Sequence, residues 1–209
     1  MQLTSKKYFL ILCGMMIFSV LIIGLLWMYV SDANQKLDVL DQINSFELDE
    51  VLTETSYQSD NDKIKLIAFI FIHCPDGVCP MTLQDFSQLQ DQLKEQNKFG
   101  QEVELLAITF DPLRDTPEAL QEYAQHFNVD SKGWRFLRGS EEVTEQIASD
   151  LKFFYAFEDT GEGMHSTTMF LVDQNHQVRS YYSMSSASES MNQEKILRDI
   201  DTLIKEKSE

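Results

Sequence analysis

The chain has 209 residues, a length suited to one globular domain with appendages, and a formal net charge of −17. That acidity excludes a nucleic-acid binder, whose phosphate contacts require clustered Lys and Arg, and it favours cations or basic partners without bearing on the fold. With only 8 glycines and 4 prolines beside an ordinary hydrophobic fraction, the bulk of the chain is expected to fold.

Lys6 and Lys7 precede a charge-free run from Tyr8 to Val30, YFLILCGMMIFSVLIIGLLWMYV. At about 1.5 Å per residue the run makes about 34 Å of helix, enough to cross a bilayer with some tilt. Trp27 and Tyr29 stand at its far end, where aromatic rings favour the interface, and the lysines place the N-terminus in the cytoplasm and the rest outside. A cleaved signal peptide has a shorter apolar core of about 7–15 residues, so length favours an uncleaved anchor although Ser31-Asp32-Ala33 would serve as a cleavage site. Cys13 follows Leu12, where lipid attachment needs a small residue, and reads as a small apolar residue inside the span. The expected organisation is a cytoplasmic tip and transmembrane anchor over 1–30, a polar stalk over 31–45 and a soluble domain over 46–209, held at the cell membrane on its extracytoplasmic face.

IKLIAFIFI (64–72) is almost continuously apolar and β-branched, as a strand buried on both faces should be. Leu83, Phe86, Leu89 and Leu93 then recur at helical spacing and predict a helix from about Pro80 to Lys98. VELLAITF (103–110) is a second buried strand. Thr116 caps and Pro117 opens another helix, with Leu120, Tyr123, Ala124 and Phe127 on one face. Ser140 starts a third, with Val143, Ile147, Leu151 and Phe154 inward. TTMFLV (167–172) and VRSYYS (178–183) predict a hairpin, SMSSASES (183–190) an exposed loop, and Ser190 with Gln193 the capping box of a last helix burying Ile196, Ile200 and Leu203. A β-α-β unit followed by a β-β-α unit is an α/β, thioredoxin-like sandwich, here behind a single N-terminal transmembrane helix.

HCPDGVCPMT (73–82) places two of the three cysteines, Cys74 and Cys79, at the end of a central strand and the start of a helix. Thiols ionise readily there, and thiolate is both the nucleophile and the ligand for soft metals. Closing so short a loop constrains the unfolded chain only modestly, which weakens a purely structural disulfide as the explanation. Redox work and metal binding both stay open, and a metal needs a third ligand. His73 would point across an extended strand from Cys74, His126 reads as a surface residue, and His176 as a solvated turn residue. His165, between a glycine-containing loop and a buried strand, sits where loops approach the cysteines. Two thiolates and an imidazole suit copper, whereas zinc usually takes a fourth ligand.

Three blocks in order, CPDGVCPMT, ITFDPLRDTPEALQEYAQHF (108–127) and HSTTMFLVD (165–173), resemble the Sco/SenC family of membrane-tethered thioredoxin-fold proteins that assist copper insertion into cytochrome c oxidase. The resemblance runs from about Phe46 to Leu203. It implies that Cys74, Cys79 and His165 are copper ligands, that Asp111 lies near the site as a second-shell or turn residue, and that Arg114 and Asp115 hold its loop by ion pairing. It also implies a copper chaperone rather than a catalyst, whose partners are the copper-bearing oxidase subunit and another copper carrier or thiol reductant. Two departures stand out: four residues separate the cysteines where the family has three, with Gly77 the additional one, and Met164 stands where the family carries Asp. A thiol–disulfide oxidoreductase using Cys74 and Cys79 is the rival reading, although the spacing is not C-x-x-C. A peroxidase would want a hydroxyl at the position held by Phe71.

Overall fold

In the computed structural model, residues 14–24, 36–158 and 163–208 are described. Residues 14–24 are helical, with exposed apolar side chains such as Met15, Phe18 and Leu21. Among the described residues no helix is long and apolar enough to cross a membrane. Much of the Tyr8–Val30 run, with Cys13, Trp27, Tyr29 and Ser31-Asp32-Ala33, lies outside the described residues.

Leu37–Glu209 is the second compact unit. Among its described residues, ten strands and four α-helices build it. They run β1 (Asp41–Gln42), β2 (Glu47–Glu50), β3 (Thr55–Gln58), β4 (Ile64–Ile70), α1 (Val78–Glu95), β5 (Val103–Thr109), α2 (Pro117–Ala124), β6 (Trp134–Arg138), α3 (Glu141–Asp150), β7 (Tyr155–Phe157), β8 (Gly163–His165), β9 (Thr168–Val172), β10 (Gln177–Ser183) and α4 (Gln193–Lys207). Eight strands form one sheet in the order β1-β10-β9-β4-β5-β6-β2-β3, and β7 pairs with β8 alone. β4, β5 and β6 are parallel, and β9 returns antiparallel on the other side of β4.

The expected centre is there. Every residue of β4 and β5 is buried, and Leu83, Phe86, Leu89 and Leu93 of α1 are wholly buried against them. Two charges in these strands are accommodated rather than exposed. Glu104 takes Lys63, Arg135, Tyr57 and Asn61 as partners. Lys65 donates to the Asn61 and Lys63 carbonyls, and burial pushes its ammonium down to about 8.

Several expectations are corrected. The stretch expected to be stalk folds onto the domain from Leu37: β1 pairs with β10, Ile43 is buried, and Arg179 donates to the Leu37 and Asp38 carbonyls. Strands β2, β3, β6, β7 and β8 add to the predicted set. On α3 the buried face is Thr144, Ile147 and Ala148; Val143 is partly exposed and Phe154 largely so, while Phe153 takes the core position. The cap of α4 is Asn192, whose side chain accepts from the Lys195 amide, not Ser190. In the 183–190 loop, Met184 and Ser185 are buried, the latter bonded to Asp85 on α1. His176 is buried too, its Nε2 3.1 Å from the Ser59 hydroxyl, because the hairpin turn is covered by the 42–46 segment.

Arg179 is the anchor of that N-terminal segment, pairing with Asp173 at 2.8 Å and Glu206 at 2.7 Å from a side chain only 8% exposed. Arg179→Ala leaves Asp173 buried without its cation and is expected to destabilise the domain by about 3–5 kcal/mol in urea unfolding, with faster amide exchange at Leu40 and Ile43. Unchanged exchange at those amides would show that the segment is held by other contacts.

Candidate metal centre

The site forms where β4 ends. Beyond Ile70 the chain turns, and Asp115 fixes the turn: its carboxylate accepts the Ile72 amide at 3.3 Å and the Thr109 hydroxyl at 2.6 Å, tying the ends of β4 and β5 together. Burial pushes this carboxyl up to about 6. Gly77 then adopts φ 73°, a left-handed conformation that glycine reaches at low cost, and caps α1. Its carbonyl accepts the Met81 amide at 3.2 Å, while Asp76 Oδ1 takes the Val78 amide at 3.0 Å. Gly77 thus supplies the one left-handed position that starts the helix.

The first turn of α1 delivers one free N–H group to sulfur. The Cys79 amide donates to Cys74 Sγ at 3.4 Å, and Asp76 Oδ1 lies 2.9 Å from the same atom. His165 arrives from β8, opposite Tyr155, with Nε2 3.9 Å from Cys74 Sγ. Its Nδ1 lies 2.9 Å from the Ser166 carbonyl. A carbonyl only accepts, so Nδ1 carries the proton and, in the neutral ring, Nε2 presents its lone pair toward the sulfurs. Phe71, Phe110 and Phe153 pack around the imidazole with centroids 5.2–6.2 Å away. Cys74 Sγ, Cys79 Sγ and one His165 nitrogen lie within 4.8 Å of one another, the one His/Cys/carboxylate group among the described residues arranged to hold a metal ion.

The two cysteines are electrostatically unequal. Cys74 is lowered to about 6 by the hydrogen bond from the Cys79 thiol, aided by His165 and the Cys79 amide against the opposing effect of burial. Cys79 is pushed far up, by the adjacent Cys74 sulfur and by complete burial. Burial disfavours the His165 cation, but Cys74 and the Ser166 carbonyl outweigh it and raise the imidazole. Both cysteines are free thiols here.

Other candidates fall elsewhere. Asp111 is buried and its carboxylate pairs with Arg114, while its carbonyl accepts the Arg114 and Asp115 amides, so the ion pair in this loop is Asp111–Arg114 and Asp115 acts through hydrogen bonds. Met164 is 59% exposed and, one residue from His165 on a strand, faces the other way. His126 lies on an exposed turn. Sequence reasoning missed Asp76 and Ser166 as partners of the site and named Asp115 only as an ion-pairing residue of the loop. Asp76, two residues before a helix-initiating amide, carried an Asx-type capping signal; Ser166 acts on the adjacent His165 through its backbone carbonyl, which no side-chain pattern marks, and Asp115 acts across the fold.

A family model described as SCO1/SenC matches residues 36–205. The SCO2-like protein of Rickettsia felis is 30% identical over 187 residues, covering 81% of this chain and 88% of that protein. A SCO1/SenC family lipoprotein from Bacillus anthracis has a similar crystal structure, with a TM-score of 0.70, 26% identity, and coverage of 79% of this chain and 96% of that one. Arabidopsis thaliana ScoI, solved with copper bound, shares the fold with a TM-score of 0.61 at 23% identity, over 76% of this chain and 97% of that one.

Two outcomes test the geometry. The alkylation rate of Cys74 with iodoacetamide should rise with pH through about 6 and then level off, because thiolate is the nucleophile, while peptide mapping finds Cys79 unmodified. A curve centred in the ordinary thiol range would show that the Cys79 thiol, His165 and the helix amide do not act together on the sulfur. Gly77→Ala meets only Met81 Cε, 3.5 Å from the new methyl, so its expected cost is conformational, about 1–2 kcal/mol by denaturant unfolding, with the thiol reactivity kept.

Proposed function

The chain belongs to the SCO1/SenC family, and from that premise we propose that it is a copper chaperone, holding copper between Cys74, Cys79 and His165 for a cytochrome c oxidase under assembly. The family is one of cytochrome c oxidase assembly proteins, and solved members carry copper. The observation that carries the reading for this chain is the convergence of two sulfurs and one imidazole nitrogen within 4.8 Å. Thiolates and imidazole are a donor set for copper, and no carboxylate belongs to the group.

The residues divide the work. Cys74, ionised near neutrality and half-buried, meets an incoming ion first and is the ligand a recipient's thiolates can displace. Cys79, wholly buried, closes the site from the protein side. His165 is held in its ligating tautomer by Ser166, which removes a rotational and protonation choice at the moment of binding. Gly77 gives the longer loop the bend that lets both sulfurs face one point. Copper is cargo here, so the site combines thiolate affinity with a half-buried sulfur through which ligand exchange proceeds.

The setting belongs to the same reading. The charge-free run Tyr8–Val30 acts as a single-pass anchor, with Lys6 and Lys7 on the cytoplasmic side and the domain on the extracytoplasmic face, where an oxidase subunit would present its copper site. A copper carrier or a thiol reductant would supply metal or electrons to the cysteines.

A second reading keeps one specific support, the lowered Cys74 beside the protonated Cys79. In it Cys74 thiolate attacks a partner disulfide, Cys79 then displaces the mixed disulfide, and the partner leaves as a dithiol while Cys74–Cys79 is oxidised.

Metal analysis separates the two. The reduced chain is expected to take one copper with thiolate-to-copper charge transfer, and His165→Ala to lose tight binding while retaining disulfide exchange. Copper affinity undiminished in His165→Ala would remove the three-ligand site, and absence of copper uptake beside rapid disulfide cycling would favour the oxidoreductase.

A further inference from the structure

β7 and β8 pair with each other and stand outside the eight-stranded sheet. His165 is the last residue of β8, so whatever fixes this strand pair against the domain also fixes the imidazole against the cysteines. Aromatic rings make the contact. Phe157 of β7 stands 5.8 Å from Phe110 and 6.0 Å from Phe71, centroid to centroid, and Tyr155 stands 5.1 Å from Phe110. Gly163, the cross-strand partner of Phe157, makes room for that ring: a Cβ there would lie 2.8 Å from Phe157 Cε1 and 3.3 Å from Phe71 Cζ.

Phe157 also meets a cation. The guanidinium carbon of Arg114 lies 4.7 Å from the centroid of its ring, within the range of a cation–π contact. Asp111 fixes that guanidinium: its buried carboxylate accepts from Arg114 Nε, and its carbonyl accepts the Arg114 and Asp115 amides at 3.2 and 2.9 Å. A planar fork already held by a carboxylate loses little further freedom on meeting a ring. The same turn reaches the cysteine side through Asp115, whose carboxylate accepts the Ile72 amide. One turn, 111–115, therefore touches both halves of the site: the strand exit that leads to Cys74 and the strand pair that bears His165.

We propose that Arg114 is a positioning residue for His165: its guanidinium, anchored on Asp111, holds Phe157, and with it the β7–β8 pair, where the imidazole meets Cys74. The inference deepens the copper-binding reading of the same site and rests on it. With Nδ1 at the Ser166 carbonyl, the imidazole follows its strand, so loosening β8 speeds its departure from a bound ion.

The test loads the reduced full-length chain with copper(II) and follows loss of its charge-transfer absorption to excess EDTA by stopped flow. Arg114→Gln and Phe157→Leu should each speed release about two- to fivefold, the scale of one cation–π contact. The double variant should be no faster than the quicker single one, because both changes remove the same contact. Arg114→Lys, which keeps a cation for the ring, should release more slowly than Arg114→Gln. Without metal, hydrogen exchange in peptides covering β7 and β8 should quicken in the same order. Release rates equal to that of the unsubstituted chain would overturn the proposal. So would single effects that multiply in the double variant, since the two residues would then act separately, or Arg114→Lys as fast as Arg114→Gln, since the cation would then hold nothing. An unsubstituted chain that takes up no copper would overturn the copper reading first, a result visible before any variant is compared, and this inference with it.

Discussion

Seven consecutive pairs between β4 and β5, from Ile64↔Val103 to Ile70↔Thr109, set the level at which the chain leaves the sheet, and the reactive groups follow from that level. Parallel strands end on the same edge, so the loop carrying Cys74 and the loop carrying Asp111 and Asp115 emerge side by side, each running into a helix N-terminus. β9 is antiparallel to β4, with Ala68 opposite Met169, and so begins at the edge where β4 ends. His165, three residues before β9, is therefore delivered to the cysteines by strand direction alone. Asp115 then locks the edge from beneath, one carboxylate bridging the last amide of one strand's exit and the last hydroxyl of the other.

Because the placement depends on strand direction, much of it is legible in the sequence. Continuous apolar runs mark β4 and β5, and the 3.6-residue recurrence of Leu83, Phe86, Leu89 and Leu93 marks α1; both signals come from burial, which is where single-sequence patterns are strongest. What escapes is structure created by pairing. Glu47–Glu50 holds three acids in four residues and becomes a strand because β3 and β6 flank it, with Leu48 and Glu50 turned inward. The polar Leu37–Asn44 stretch looks like a tether, yet Arg179, Gln42 and the β10 backbone fasten it. His176 is misread because exposure at a turn is decided by what covers it, here the 42–46 segment more than one hundred residues away, and Phe154 because α3 ends at Asp150, so helical spacing does not reach it and Phe153 turns inward.

Within the site, the sequence singles out the three candidate ligands that the fold brings together, but not the inequality of the two sulfurs. Two cysteines four residues apart look alike as letters, while the fold gives one the helix amide and the imidazole and the other complete burial. The first lies toward the thiolate, the second toward the thiol, and each stabilises the other's state, since the Cys79 proton is what Cys74 accepts. A metal ion reverses the relation by replacing that shared proton with a charge both sulfurs can bind. The three donor atoms already lie within 4.8 Å of one another in the metal-free chain.

The additional residue in the cysteine loop bears on this directly. A non-glycine residue at φ 73° would store conformational strain in the loop, and that strain would act on the one segment whose two sulfurs must stay within reach of each other. Glycine confines the turn to a single bend, which then serves as the helix cap, so the Cys79 amide keeps pointing at Cys74. The space around Gly77 is open, and a methyl placed there would meet nothing nearer than Met81 Cε at 3.5 Å, so conformation rather than packing selects glycine. Length in this loop is therefore tolerated as long as it is absorbed before Val78, upstream of the helix that lowers the sulfur's proton affinity; an insertion after Val78 would shift Cys79 by a helical step of about 100° and separate the ligands.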